Sequence, residues 1–395
     1  RLCQPVVLLQ SLVVSHEVLS LLGASSAYVG MSETSNDFTH RLSGIVRDGF
    51  LAMGLALGQD LKLFDALAEV SSEENPATAK QVAEKSSMKE RYIKEWLCLM
   101  ACNDIIEVDQ AGERFWIRKE RVAEITGPDM NPMFVFQQHL PMIGKVYPAL
   151  AEVMKIDGPL GLNNDVFGNF HERMASFSEA RHKKHLISDY LPLTGMKEKL
   201  EKGGIHVLDV GCGRGVQTAE FAKHFPKSYF TGIDISLDAV AGANKRRDEA
   251  NEGLENLSFV RMNAQDLKHE WTGKFDWITM FDACHDQTRP DLSLKEVYRV
   301  LKPGGLFSMV EVDGTGNVYK DKETDYSKFI YGISLFHCLP VGSDGEGAFA
   351  LGAAWGRDRA LKLLRDSGFT KVEVVATPFF WSNVLYMCYK EQNKE

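Results

Sequence analysis

The stretch Ile205-His206-Val207-Leu208-Asp209-Val210-Gly211-Cys212-Gly213-Arg214-Gly215 decides the fold. Its apolar start reads as a strand buried on both faces. The strand ends at Asp209-Val210 and runs into three glycines at alternate positions, Gly211, Gly213 and Gly215, before a helix that starts near Val216. A ligand lying across the carboxyl end of a first strand needs this arrangement. Glycines let the backbone turn sharply and let a bulky group rest against it, and the next helix aims its first N–H groups and positive dipole end at the ligand's carboxylate.

The spacing separates two kinds of ligand. A dinucleotide fingerprint has the form G-x-G-x-x-G/A, and its third small residue falls on Val216. Here an acidic residue stands two positions before the first glycine, and the glycines follow as G-x-G-x-G. Asp209 suits a cofactor that carries an ammonium group, met directly or through water. A carboxylate in that place repels a pyrophosphate.

Working outward, short apolar strands are predicted at Ile205–Val210, Tyr229–Asp234, Leu257–Met262, Phe275–Phe281, Leu306–Val312, Lys371–Thr377 and Val384–Tyr389, with helices between most of them. Strands alternating with helices imply a mostly parallel sheet covered on both faces. The second strand ends in Gly232-Ile233-Asp234, where a carboxylate can accept hydrogen bonds from both hydroxyls of a ribose. The third is followed by Asn263-Ala264-Gln265-Asp266, polar groups within reach of an adenine edge. A single acid at a strand end is ordinarily a solvated loop residue; three polar strand ends in succession describe a nucleoside site.

Upstream, residues 39–69 carry a helical stripe of Leu42, Val46, Phe50, Met53 and Leu57, with a break expected near Gly58 and a continuation through Phe64 and Leu67. Two short helices follow, each expected to open on a capping box, Thr78 with Gln81 and Ser87 with Glu90. Ile105–Val108 and Phe115–Ile117 flank a turn containing Gly112 and read as a β-hairpin. Helix, helix, hairpin is the order of a winged helix-turn-helix. Lys89, Arg91 and Lys94 on the second helix are offset by Glu90 and Glu95, so a packing or dimerisation module is the preferred reading over a DNA reader, which needs a basic face. Residues 130–192 are helical and rich in Phe and Met, with Pro141 and Pro148 expected to break or kink them. Most of this segment is core, and part of it suits the cap of an apolar pocket.

The whole chain has 395 residues and a net charge of −9, which opposes sequence-independent binding of nucleic acid or of an anionic membrane. Val6–Leu22 is too interrupted by polar residues to span a bilayer, and residues 1–30 read as an extension ahead of a natural start at Met31. The seven cysteines form no C-x-x-C pair and fit free thiols in a reducing, cytoplasmic setting. No cluster has metal-ligand spacing, so no metal is expected.

Taken in order, Leu208–Gly215, Gly232-Ile233-Asp234 and Leu301-Lys302-Pro303-Gly304-Gly305 resemble the motifs of class I S-adenosylmethionine-dependent methyltransferases. Phe281-Asp282-Ala283-Cys284-His285-Asp286-Gln287, His337-Cys338 and Leu351-Gly352-Ala353-Ala354-Trp355-Gly356 resemble the winged-helix, small-molecule-type group of that family found in bacteria, mycobacteria among them, and in invertebrates. The resemblance runs over roughly residues 38–390. It implies a Rossmann-like, seven-stranded, mostly parallel α/β domain over 196–395, a winged-helix dimerisation domain over 38–125 and a helical linker or cap over 126–195.

The implied cofactor is S-adenosyl-L-methionine. Asp209, Gly211, Cys212, Gly213 and Gly215 would cradle its methionine part, Asp234 with the adjoining Ile235 the ribose, and Asn263, Ala264 and Gln265 the adenine. Phe281 and Asp282 would lie beside the sulfonium. Asn263 stands where the family often has Asp. His285 is the candidate general base, oriented by Asp286 or Asp282, because it follows the fourth strand and imidazole titrates near neutrality; a helix-capping or packing histidine is the plainer role. His337, Cys338 and Trp355 are expected to line the pocket. The expected reaction is methyl transfer to a small molecule by a homodimer. A protein methyltransferase and a non-catalytic cofactor-binding regulator are the alternatives.

Overall fold

The computed structural model describes residues 35–128, 130–168, 170–249, 254–380 and 382–392, so residues 1–30 and the reading of them as an extension lie outside the described residues. Helix α1 (Ser35–Asp60) is followed by α2 (Leu63–Val70). The break falls at Leu61-Lys62, where Lys62 takes a left-handed φ of 54°, and not at Gly58. Gly58 stays within the helix, where a Cβ would stand 2.6 Å from both the Phe64 and Trp96 rings. Its bare backbone lets those two rings meet edge to face at 4.9 Å.

Strand β1 (Ala77–Thr78), α3 (Ala79–Ser86), α4 (Glu90–Cys102), β2 (Glu107–Val108) and β3 (Arg114–Trp116) form the winged helix, with a small antiparallel sheet in the order β1-β3-β2. Thr78 and Gln81 make the expected capping box. The second box does not form. Ser87 is the left-handed residue that ends α3, at φ 57°, and α4 starts from Lys89 with no side-chain cap. A residue spent on closing one helix cannot also open the next. Leu63, Phe64, Leu67, Val82, Trp96, Leu97, Met100 and Phe115 make the core of this layer. Arg91 pairs with Glu95, and Lys94 bonds to the Gly112 carbonyl at 2.6 Å and to Glu113 at 3.2 Å.

The cap contains helices Pro132–Phe136, His139–Val153 and Phe170–His185, the last continuing into a π-helical turn at Leu186–Tyr190. Neither proline breaks its helix. Pro141 is the third residue of its helix, where no intrahelical N–H bond is due, and Pro148 is accommodated inside the same helix.

The large sheet contains β4 (His206–Val210), β5 (Tyr229–Asp234), β6 (Leu257–Arg261), β7 (Phe275–Phe281), β8 (Leu301–Val312), β9 (Lys371–Ala376) and β10 (Asn383–Tyr389), in the order β6-β5-β4-β7-β8-β10-β9. Strands β4 to β8 pair parallel, and β10 inserts antiparallel between β8 and β9. Alternate residues face opposite layers. Leu208, Val210, Ile278 and Met280 pack with Leu294 and Val297, while Val207, Trp277 and Phe281 pack with Tyr190 and Phe221. Each such side chain contributes about 1.5–3 kcal/mol on burial. Strand β8 begins five residues earlier than the sequence pattern indicates, because Lys302-Pro303-Gly304-Gly305 forms an irregularity in the β7–β8 register.

Parallel order fixes the geometry of function. The register sets Asp209 beside Gly232 and beside Thr279, so the carboxyl ends of β4, β5 and β7 open on one side. The order reverses at β4, which places a crevice there.

Candidate cofactor site

A cavity of about 750 Å³ lies against those strand ends. Its floor is the loop Gly211–Arg214. Gly211 and Cys212 donate their N–H groups to the Ile233 carbonyl at 2.9 and 3.0 Å, tying the loop to the end of β5. The three glycines have φ of 70°, 54° and 72°. A Cβ on Gly215 would stand 2.3 Å from the Phe259 ring, whereas one on Gly213 would meet nothing within 4 Å. Gly215 therefore serves the packing of loop on strand, and Gly213 presents bare backbone to the cavity.

Asp234 stands beside that backbone. Its Oδ2 accepts the Gly213 N–H and its Oδ1 accepts the Ser236 N–H, both at 2.9 Å. Each oxygen keeps a second lone pair for a ligand hydroxyl. Asn263 accepts the Gln265 N–H on its own side-chain oxygen at 3.0 Å, and Gln265 reaches Thr288 at 3.3 Å. Asp282 holds a left-handed φ of 48° at the end of β7, with Asn383 of β10 donating to its carboxylate. Strain of this kind at a non-glycine residue persists where neighbouring structure fixes it.

Gly211, Cys212, Gly213, Asp234, Ile235, Asn263, Ala264, Gln265, Phe281 and Asp282 all line the cavity. Three other candidates lie behind its wall. Gly215 is the helix cap. Asp209 is 3% exposed, and its two oxygens accept the hydroxyls of Thr218 and of Thr279, the latter at 2.9 Å. Burial lifts its pKa to about 6 against the pull of those two hydroxyls. Asp282, at the end of the neighbouring strand β7, stands on the wall instead.

His285 is also buried. Its Nδ1 lies 2.6 Å from the Glu311 carboxylate and its Nε2 lies 3.4 Å from Asp286, and it is Asp286 that reaches the cavity. Burial disfavours a charge on the imidazole, but Glu311 and then Asp286 outweigh it and hold the pKa well above 6.5. Trp355 donates its indole N–H to Glu311 at 3.3 Å, Cys338 lies beside His285, and His337 stacks on Phe170 at 3.8 Å. These three support the wall from behind.

The opposite wall carries no motif. Leu162, Asn163, Asn164 and Asp165 face the loop from the cap, together with Phe170, Met174 and Ala175. Their placement depends on Leu162 donating to the Pro340 carbonyl at 2.9 Å, a long-range contact without local signature. A signal was present in the Phe and Met content of this segment, which marked it as a pocket cap without identifying the lining residues.

The residues fit S-adenosyl-L-methionine. A glycine floor open to a bulky group, a carboxylate placed for ribose hydroxyls, amides at the third strand end and an apolar Phe281 meet in one cavity of suitable size.

Comparison with known proteins agrees. Residues 201–343 match the family described as methyltransferase domain, and residues 49–127 match the Rv2258c-like winged HTH domain. A fatty-acid O-methyltransferase from Mycolicibacterium smegmatis is 38% identical over 104 residues, covering 26% of this chain and 36% of that protein. A demethylmenaquinone methyltransferase from Staphylococcus aureus is 28% identical over 205 residues, covering 50% of this chain and 81% of that protein. Human N-acetylserotonin methyltransferase in complex with SAM superposes with a TM-score of 0.64 over 92% of this chain and 100% of that one, at 15% identity. PigF with SAH gives 0.64 over 90% of this chain and 99% of that one, at 20% identity. The structural neighbours share the fold. The chain thus carries a match to a methyltransferase domain over residues 201–343 and to an Rv2258c-like winged helix over residues 49–127, and its cavity fits S-adenosyl-L-methionine.

Proposed function

We propose that the protein transfers a methyl group to an oxygen of a small, largely apolar acceptor, with long-chain carboxylic acids as the leading class. The observation that carries this reading is the two-faced cavity. One wall is polar and built for the cofactor, and the cap wall, beside Asn163, Asn164 and Asp165, presents the apolar Phe170, Met174 and Ala175. The relative from Mycolicibacterium smegmatis is named for fatty acids and the one from Staphylococcus aureus for demethylmenaquinone, both acceptors with long apolar parts.

Bound in this site, S-adenosyl-L-methionine supplies an electrophilic methyl on a sulfonium. Gly211, Cys212, Gly213 and Asp282 would hold the methionine end, Asp234 and Ile235 the ribose, and Asn263, Ala264 and Gln265 the adenine. Phe281 and Phe170 exclude water from the line of attack. For a hydroxyl acceptor, the proton passes by way of Asp286, which lines the cavity, to Nε2 of the neutral His285 ring behind it, while Glu311 at Nδ1 raises the ring's affinity for that proton.

A small acceptor is favoured over a nucleic acid by the net charge of −9 and by the engagement of the helix cations Arg91 and Lys94 with Glu95 and Glu113; among the described residues no helix is long and apolar enough to cross a membrane. Among the described residues all six cysteines are free, which supports a reducing cytoplasmic setting. The partner of α1 is a second copy of this chain. Phe38, Leu42, Ile45, Phe50, Met53 and Leu57 are all exposed along it at spacings that form one seam.

The test is transfer of labelled methyl from S-adenosyl-L-methionine to palmitic acid, oleic acid and a demethylated naphthoquinol. A labelled methyl ester or ether is expected. Cofactor binding without label in any organic extract, but with label on protein, would replace this reading with protein methylation.

A further inference from the structure

We propose that the chain binds a divalent metal ion of borderline softness, Zn²⁺ being the type, at His285 Nε2, Asp286 Oδ1 and Cys338 Sγ. One donor atom from each of these residues lies within 4.8 Å of the other two. Two of the residues stand in the turn after β7. The third ends the π-helical segment Ser334–Cys338, so the group forms only where the sheet meets the cap. The sequence shows no ligand spacing because Cys338 lies far along the chain from the other two.

Imidazole nitrogen, thiolate sulfur and carboxylate oxygen are the donors that zinc prefers, and in a tetrahedral zinc centre they stand about 3.3–3.7 Å apart. Nε2 and Oδ1 are 3.4 Å apart already. Two further features point to a ligand. A metal-binding histidine donates its other ring N–H to a carboxylate, which fixes the tautomer and leaves a lone pair for the ion. Here Glu311 is that carboxylate, 2.6 Å from Nδ1, and Trp355 steadies it in turn. Asp286 Oδ1 is shielded from solvent and has no hydrogen-bond partner among the described residues, despite its closeness to the imidazole. A cation between imidazole, thiolate and carboxylate satisfies that oxygen, and three protein ligands leave a fourth position for water or another small ligand.

The consequence for activity rests on the functional reading given above. Nε2 cannot hold a metal and accept a proton at once. Occupancy therefore suppresses proton removal from a hydroxyl acceptor while leaving the cofactor floor, built by Gly211–Arg214 and Asp234, untouched.

The experiment is a Co²⁺ titration of the full chain after treatment with a chelator, followed by visible and near-ultraviolet absorption, with Zn²⁺ as competitor. Expected are a thiolate-to-cobalt charge-transfer band and tetrahedral ligand-field bands that saturate at about one equivalent and vanish on adding Zn²⁺. Cys338→Ser should abolish the charge-transfer band, and Glu311→Gln should weaken binding about 10–100-fold. Cofactor calorimetry and thermal melts on each variant show that it is folded, and they test the cofactor site separately from the metal. Cys98 and Cys102 lie one helical turn apart, intermediate and exposed respectively, and are the competing thiols. Absence of the band in the parent chain overturns the proposal. So does a band that survives Cys338→Ser and disappears in Cys98→Ser/Cys102→Ser.

Discussion

Glu311 and His285 face each other at 2.6 Å with neither side chain open to solvent. A buried carboxylate beside an imidazole orients the ring, selects its tautomer and favours its protonated form. Replacing His285 with Ala should lower kcat toward a hydroxyl acceptor by about 10²-fold or more, the usual contribution of a positioned base. The cofactor Kd, read by calorimetry, should stay within about twofold. Glu311→Gln should fall between the native chain and that variant. An unchanged kcat in both would remove the pair from the chemistry.

Asp234 bridges the glycine loop and the start of the following turn through Gly213 and Ser236. Its removal costs the ribose contacts and also loosens the loop that forms the floor. Hydrogen bonds to a charged group are worth about 1.5–3 kcal/mol each. Asp234→Ala should therefore weaken cofactor binding about 100-fold or more in a calorimetric titration, and Asp234→Asn should weaken it less. Equal affinities for the native chain and the Ala variant would move the ribose elsewhere in the cavity.

Most of this site was legible because strand ends leave a trace in sequence. An apolar run with a polar end recurs at β4, β5 and β6, with a glycine turn after β4, and parallel pairing brings their ends together without further information. The direction in which a strand-end residue points is set by register. Asp209 carries the same sequence signal as Asp234, yet pairing beside β7 gives its carboxylate the Thr279 hydroxyl and turns it away from the cavity. The cap wall was not legible residue by residue. Leu162 is held by Pro340, and nothing local to either segment announces that contact. Ser87 was misread because a residue suited to opening a helix can equally close the one before it.

The exposed seam of α1 predicts a homodimer. The chain has a mass of 44.2 kDa, and light scattering of the native protein should give twice that value. Leu42 and Ile45 are 47% and 58% exposed, so Glu at both places costs little within one copy and puts like charges across the seam. The double variant should run as a monomer with an unchanged far-ultraviolet spectrum. A native chain of single mass would leave the seam without a partner of its own kind.

Asp209 should make the native chain more stable in mild acid than it is near neutrality, all else equal. Its folded pKa of about 6 lies above the ordinary carboxyl value of 3.8, so the folded state binds the proton more tightly. Stability from this group is complete below pH 3.8 and is lost as pH rises through 6. Two pH units correspond to about 3 kcal/mol. Asp209→Asn carries no such charge, so its stability relative to the native chain should rise by about that amount between pH 4 and pH 7. Urea melts at a series of pH values check this, and a constant difference would show that Asp209 is ionised in both states.

His139 has the opposite sign. Burial lowers its pKa from 6.5 to about 4, with the Phe136 carbonyl, 3.0 Å from Nδ1, resisting the shift, so the folded state keeps the ring neutral. The unfolded chain takes up the proton first. Stability from this group is present above pH 6.5 and is lost as pH falls through 4, again by about 3 kcal/mol. The ring stacks on Phe136 at 4.4 Å, so the loss should appear as loosening of the cap. His139→Gln removes the titration, and its stability relative to the native chain should rise as pH falls from 7 to 4. Across the same window Asp209 and His139 oppose each other. Asp209→Asn should therefore be the more acid-sensitive of the two variants and His139→Gln the less, with the native chain between them. The reverse order in urea melts would assign the two shifts to the wrong groups.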